Sequence, residues 1–141
     1  MTNSRCCIIF AVRKGNNKKT ENNMATINLT RSEFLRKIAD YENNPNEWKF
    51  LGDKPAMIDF HAPWCGPCRV LLPILGELSE EYASKVDIYK VNIDQEEELA
   101  TLFNIQSVPT MFFIPMQGLP TKAVGVKPKE EITKRLDNLL K

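Results

Sequence analysis

At 141 residues, with 43% hydrophobic and 26% charged side chains, the chain has enough apolar material for one buried core and too little length for a second full domain. Its net charge is only +1, and residues 1–23 hold five of the 19 basic side chains against one of the 18 acidic ones; the remainder is mildly acidic, which excludes the basic stripe of a nucleic-acid binder. Four cysteines are too few for a disulfide scaffold, and no apolar run has the length of a membrane span.

Residues 1–23 read as a flexible extension or a targeting segment. Cys6-Cys7-Ile8-Ile9-Phe10-Ala11-Val12 is apolar and follows Arg5. It is short for a signal-peptide core, and basic residues follow it where a small-residue cleavage site belongs. A transit peptide, basic and poor in acids, is a comparable reading. The plainest reading is a disordered extension with GNNKKTENN as a polar linker. The adjacent Cys6 and Cys7 are too close for an ordinary disulfide. A zinc site joining them to Cys65 and Cys68 lacks the usual ligand spacing. The domain is expected over residues 24–141.

From Met24 the chain alternates strand and helix signals. Ala25–Leu29 reads as a short edge strand. Thr30 opens a helix with Glu33 as its capping-box partner and Phe34, Leu35 and Ile38 as its apolar face. Asn43-Asn44-Pro45-Asn46 is expected to end it, and the turn-rich stretch to Asp53 offers Trp48, Phe50 and Leu51 for packing. Ala56–Ala62 reads as a buried strand. Val70–Tyr82 has helical periodicity, with Leu71, Ile74, Leu75 and Leu78 as a stripe and Pro73 as a kink. Val86–Ile93 is a strand, after which Asp94 and Glu97 read as the cap of a helix over about residues 95–103. Thr110–Ile114 and Lys122–Val126 are strands joined through a turn at Gly118, an antiparallel hairpin. Ile132, Leu136, Leu139 and Leu140 stripe a last helix. Alternation up to residue 110 implies βαβ crossovers and parallel pairing, giving one mixed α/β sheet with helices on both faces.

The chemistry-bearing motif is Cys65-Gly66-Pro67-Cys68, where a strand ends and a helix begins. Unpaired N–H groups and the positive end of the helix dipole favour thiolate at Cys65, holding its pKa below the free value of about 8.5. Cys68, one turn in, is placed to attack a mixed disulfide formed by Cys65. Pro67 sits in the first turn, where its missing N–H costs little. A metal site needs two further soft ligands at compatible spacing, and the only histidine is His61. A structural disulfide would close only a tiny loop. Redox chemistry outweighs both readings, because a C-x-x-C within a βαβ pattern is a specific signal.

Asp59 interrupts the apolar run Ala56-Met57-Ile58-Asp59-Phe60 in a strand expected to be buried on both faces. Burial raises its pKa, which suits a proton donor or acceptor near neutral pH; the plainer role is a hydrogen bond to neighbouring backbone. Alone the two readings balance, and the C-x-x-C favours the first. Pro109, in Val108-Pro109-Thr110, is a plain loop residue or the site of a cis bond in a constrained position.

Together these residues resemble the thioredoxin family over roughly residues 24–141. WCGPC at 64–68 matches the family motif in full, Asp59 stands six residues before the first cysteine, and Pro73 five after the second. Pro109 in SVPT and Gly125 in the last strand complete the pattern. The resemblance implies a thioredoxin-like three-layer sandwich and a thiol–disulfide oxidoreductase that reduces protein disulfides. It implies that Cys65 attacks the client disulfide, that Cys68 resolves the mixed disulfide, and that Asp59 exchanges a proton with Cys68 beside the charged neighbour Lys90. Pro109 would be cis, and Val108 would offer backbone hydrogen bonds to an extended client. Trp64, Gly66, Pro67, Gly125 and Val126 would form the apolar apron that clients cross. The dithiol is itself the redox group, so no cofactor and no metal are expected. An NADPH-dependent flavoprotein, thioredoxin reductase, would recycle it.

The expected partners are disulfide-containing client proteins and that reductase, with the chain a monomer. The expected place is the cytoplasm. Export to a periplasm or import into an organelle is the alternative if residues 1–23 are a targeting segment. CGPC resembles the reducing members of the superfamily. A rival from another class is a non-catalytic docking subunit, which would keep its effect with both cysteines replaced. Three features depart from the commonest pattern: the residue 1–23 extension, a longer link over residues 41–54, and His61 where the family usually has Trp or another aromatic. His61 fills that aromatic site or, protonated, favours a nearby thiolate.

Overall fold

Residues 26–141 are described by the computed structural model, in the order β1 (Ile27–Asn28), α1 (Arg31–Lys37), β2 (Ala56–His61), α2 (Gly66–Glu81), β3 (Asp87–Asn92), α3 (Glu97–Leu102), β4 (Thr110–Ile114), β5 (Thr121–Val124) and α4 (Lys129–Leu139). The strands form one sheet in the order β1-β3-β2-β4-β5. β3 is parallel to both β1 and β2, whereas β4 runs antiparallel to β2 and β5. The mixed sheet and the final hairpin are those the alternation predicts. The readings of residues 1–25, including Cys6 and Cys7, lie outside the described residues.

β2 is the middle strand and is buried from Ala56 to Phe60, which explains its nearly unbroken apolar run. Because side chains alternate along a strand, Met57 faces one side with Ile88, Met111 and Phe113, under Leu71, Leu75 and Leu78 of α2 and Ile132 and Leu136 of α4. Ile58 and Phe60 face the other side, under Phe34 of α1 and Leu99 of α3. There Phe34, Phe60, Phe103 and Phe112 make a chain of tilted and edge-to-face rings. Asp59 and His61 share the side of Met57 and therefore point toward the layer that holds α2.

Thr30 caps α1 as its sequence predicts: the Glu33 N–H donates to Thr30 Oγ1 and the Thr30 N–H to Glu33 Oε1, both at 3.3 Å. Thr30→Ala removes that reciprocal pair, and a loss of about 1 kcal/mol is expected. The midpoint of urea unfolding would report it, with no change in slope.

Several boundaries differ from the sequence reading, each for a local reason. α1 ends at Lys37 with Ile38 as its cap, ahead of the Asn43–Asn46 stretch. The Leu51 N–H donates to Ile38 O at 2.9 Å, and the Asp40 carboxylate takes the Asn43 N–H at 3.2 Å, so side chain and returning link replace further helical turns. Trp48 and Phe50 pack against the core, but Leu51 is exposed. α2 starts at Gly66, four residues before its apolar stripe becomes readable, and Pro73 lies on its exposed side. α3 starts at Glu97 with Glu96 as its cap, whose side chain does not bond the helix but accepts the Arg31 N–H at 3.0 Å, and Asp94 plays no part in the cap. β5 ends at Val124, so Gly125 falls just beyond the strand. Leu140 lies past the end of α4 and is exposed, leaving Ile132, Leu136 and the partly buried Leu139 as the packed stripe.

Candidate active site

The site is built where β2 leaves the sheet and α2 begins. The Cys65 N–H closes the turn onto Ala62 O at 3.2 Å, and Cys65 then occupies the N-cap of α2 in extended conformation. Its sulfur does the work usually done by Ser or Asp: Sγ accepts the Cys68 N–H at 3.1 Å. Pro67 stands in the first turn, where no N–H is needed. Cys65 and Cys68 are joined as a disulfide, their Cα atoms 5.3 Å apart. The two are 4% and 2% exposed, so anything that reacts with them reaches them through their immediate rim. Ala62 and the two cysteines form a small apolar cluster against Ile93 and Val108, and Cys65 Sγ lies 3.7 Å from Val108 O.

Val108–Pro109 is a cis peptide bond. Pro109 is buried and its carbonyl accepts the Gly125 N–H at 2.8 Å. Gly125 has φ +88, a conformation that side-chain-bearing residues rarely adopt, which accounts for glycine there. Thr110 Oγ1 donates to Ser107 O at 2.7 Å and braces the same loop. Trp64 is 65% exposed, yet its indole N–H donates to Asp94 Oδ2 at 3.0 Å. The sequence reads Asp94 as a helix cap; its carboxylate instead steadies the tryptophan at the rim.

Among the other residues singled out from sequence, Gly66, Pro67 and Val126 are exposed. A groove beside the disulfide is lined by Trp64 and Val108, which the sequence singles out, and by Ile93, Ile105, Gln106 and Ser107, which it does not. Nor does the sequence single out Val70 and Val124, which are large apolar side chains left exposed. Their only sequence signal was nearness to a motif: Gln106 and Ser107 lead into Val108-Pro109, and Val70 follows Cys68 by two residues.

An acid stands within the middle strand of the sheet, beside a basic neighbour on the next strand. Asp59 is fully buried, and neither carboxylate oxygen has a hydrogen-bond partner. Its pKa is pushed up to about 7 by burial, against the opposing pull of the Lys90 cation. Asp59 and Lys90 are register partners on β2 and β3. Half-buried Lys90 is itself shifted down by burial, with the Asp59 charge opposing. The backbone hydrogen bond offered as the plainer role of Asp59 is therefore not made. His61 is half-buried, its Nε2 is buried without a partner, and burial followed by the Lys90 charge holds the imidazole toward its neutral form.

Among the described residues no group of three or more His, Cys, Asp or Glu side chains converges as for a metal ion. Also among them, no helix is long and apolar enough to cross a membrane.

The family model described as Thioredoxin matches residues 25–138. The thioredoxin of Borreliella burgdorferi is 48% identical over 99 residues, covering 70% of this chain and 84% of that protein. The thioredoxin of Alicyclobacillus acidocaldarius is 38% identical over 117 residues, covering 82% and 99%. The chloroplastic M-type thioredoxin of Spinacia oleracea is 36% identical over 112 residues, covering 77% of this chain and 61% of that protein. A crystal structure of chloroplastic thioredoxin z superposes with a TM-score of 0.65 at 22% identity, covering 81% of this chain and 93% of that one, a likeness of fold.

Proposed function

The chain belongs to the thioredoxin family and is a dithiol–disulfide oxidoreductase, and we propose that its work is the general reduction of disulfides in client proteins. The observation that carries this reading is the sulfur N-cap: Cys65 Sγ accepts the Cys68 N–H at 3.1 Å at the start of α2, where negative charge on sulfur is stabilised.

In the reduced chain the Cys65 thiolate attacks one sulfur of the client disulfide, and the other sulfur leaves as a thiolate. Cys68 then gives its proton to the Asp59 carboxylate and attacks Cys65 Sγ, which expels the second client sulfur. The client gains two electrons and the Cys65–Cys68 pair loses them. Lys90 faces Asp59 and tunes how readily that carboxyl holds the proton. Trp64, Gly66, Pro67, Gly125 and Val126 form the rim a client crosses, and the Val108 backbone pairs with an extended client segment beside Pro109. Disulfide-bearing proteins are the clients, and an NADPH-dependent flavoprotein reductase restores the dithiol. The chain works as a monomer without a bound cofactor. Residues 24–141 form the catalytic domain, and residues 1–23 are an appended segment. The place of action is the cytoplasm, with an organelle or an exported setting as the alternative that the chloroplastic names among the relatives keep open.

The test is the reduction potential of the Cys65–Cys68 pair, equilibrated against dithiothreitol or glutathione buffers. The expected value lies near the figure of about −270 mV for thioredoxin, which is a value for the class and not one deduced from this site. A value near about −120 mV, where a strong oxidant of the superfamily lies, would overturn the reductase reading and assign disulfide formation instead.

A further inference from the structure

We propose that the chain reads an acidic side chain in its clients: a polar cavity beside Lys122 takes the carboxylate of an Asp or Glu near the client cysteine. The inference rests on the reductase reading above and adds to it a class of preferred client.

The cavity has a volume of about 260 Å³, and its lining includes Asn104, Gln106, Ser107, Thr110 and Lys122. Side chains alternate along β5, and Ala123 is buried against the layer of α2 and α4, so Lys122 and Val124 turn to the other face and reach the cavity there. Ile105, Gln106 and Ser107 also line the groove beside the disulfide, so the two hollows share one wall. Val108, where a client segment pairs in the reading above, is the next residue after that wall. An extended segment advances about 3.3 Å per residue, so a side chain a few residues from the client cysteine spans the distance from one hollow to the other.

The cavity offers donors. The main-chain acceptors around it are already taken: Ala100 O by the Ile105 N–H at 2.9 Å, Thr101 O by the Asn104 N–H at 3.0 Å, Ser107 O by the Thr110 hydroxyl at 2.7 Å, and Pro109 O by the Gly125 N–H at 2.8 Å. Asn104, at φ +53, makes the left-handed turn that closes the first two of these bonds and seals the carbonyl end of α3. No acidic residue lines the cavity. Among the described residues Lys122 makes no ion pair, and the side chains of Asn104, Gln106 and Ser107 bond no protein group. An ammonium with its N–H groups unused, two carboxamides and a hydroxyl suit a carboxylate, which only accepts. A client lysine or arginine would meet Lys122 as a like charge. A client glutamine would keep the hydrogen bonds and lose the attraction between charges.

The experiment uses the reduced full chain in a single turnover with synthetic peptides. Each peptide has blocked ends and one cysteine held in a mixed disulfide with mercaptoethanol, a neutral thiol. The dithiol supplies two electrons, the peptide and mercaptoethanol leave as thiols, and chromatography after acid quenching measures the free peptide. Peptides are compared in pairs that differ only by Glu or Gln at one position, scanned over four residues on either side of the cysteine. Glu is expected to react about threefold faster than Gln, on one side of the cysteine only, an effect on the scale of one exposed ion pair. The ratio is expected to fall toward one in molar salt. Lys122→Ala is expected to bring it to one, Lys122→Glu to invert it, and Lys122→Arg, which keeps the charge, to preserve it. Lys127→Ala, which removes the next lysine along the chain, is expected to leave the ratio as it was. A wild-type ratio near one at every position, an equal preference on both sides of the cysteine, a ratio that survives Lys122→Ala, or an equal loss with Lys127→Ala would overturn the proposal. A reduced chain that frees no thiol from any of the peptides would overturn the reductase reading itself.

Discussion

Replacing Cys68 by Ser is expected to leave a chain that seizes a client and does not let it go. Cys65 keeps its place as N-cap, and the N–H of residue 68 still points at its sulfur, so the first attack survives. The second attack requires a thiolate at position 68, and a serine hydroxyl does not ionise near neutral pH. Turnover should fall by more than about a thousandfold, as when one member of a catalytic unit is removed. The client should accumulate as a mixed disulfide that mass spectrometry resolves and dithiothreitol releases. Cys65→Ser is expected to lose turnover to the same degree but to trap nothing. The fold should survive both changes. A cross-link with a sequence separation of 3 contributes only about 2 kcal/mol in the chain-entropy account. Trapping by Cys65→Ser and not by Cys68→Ser would reverse the assigned order of attack.

The second large effect concerns stability. Asp59 has its pKa raised by burial from 3.8 to about 7 in the folded chain. The unfolded chain therefore gives up this proton at lower pH than the folded chain does. The stability associated with Asp59 is complete below about pH 4, falls as the pH rises toward 7, and is level above that. At about 1.4 kcal/mol per pH unit, the shift corresponds to roughly 4 kcal/mol of destabilisation at alkaline pH. Asp59→Asn removes the titration. It should flatten the pH dependence of urea unfolding and make the variant the more stable protein above pH 7. It should also slow resolution near neutral pH while leaving attack by Cys65 intact. A pH dependence that persists unchanged in Asp59→Asn would show that another group carries it.

The parts of this molecule legible from sequence are those where one local rule dominates. Thr30 and Glu33 satisfy each other across one turn, so the start of α1 is written in four residues. The unbroken run in β2 tells of burial on both faces, and Asp59 stands out because it breaks that run. Cys65 and Cys68 declare themselves by spacing. What stayed hidden depends on partners distant in the chain. Asp94 has the look of a helix cap, but Trp64, thirty residues earlier, claims its carboxylate. α1 stops at Lys37 because Leu51 returns to its carbonyl end, which no helix signal near residue 38 announces. The groove of Ile93, Ile105, Gln106 and Ser107 is made by two loops meeting, and neither loop carries a motif of its own.

The two outer strands have a bearing on the company such a chain keeps. β1 offers only two residues, and β5 offers four, entered through Pro120, with exposed Thr121 and Lys122 and a left-handed glycine at its end. Open sheet borders of this kind are poor templates for adhesion: one is too short, and the other is charged and sharply ended. A reductase of the kind proposed, working on chains with bare backbone, would thereby be protected from being glued into their aggregates. In that proposed role, backbone pairing would be confined to the short segment around Val108 and would end with the exchange of sulfur.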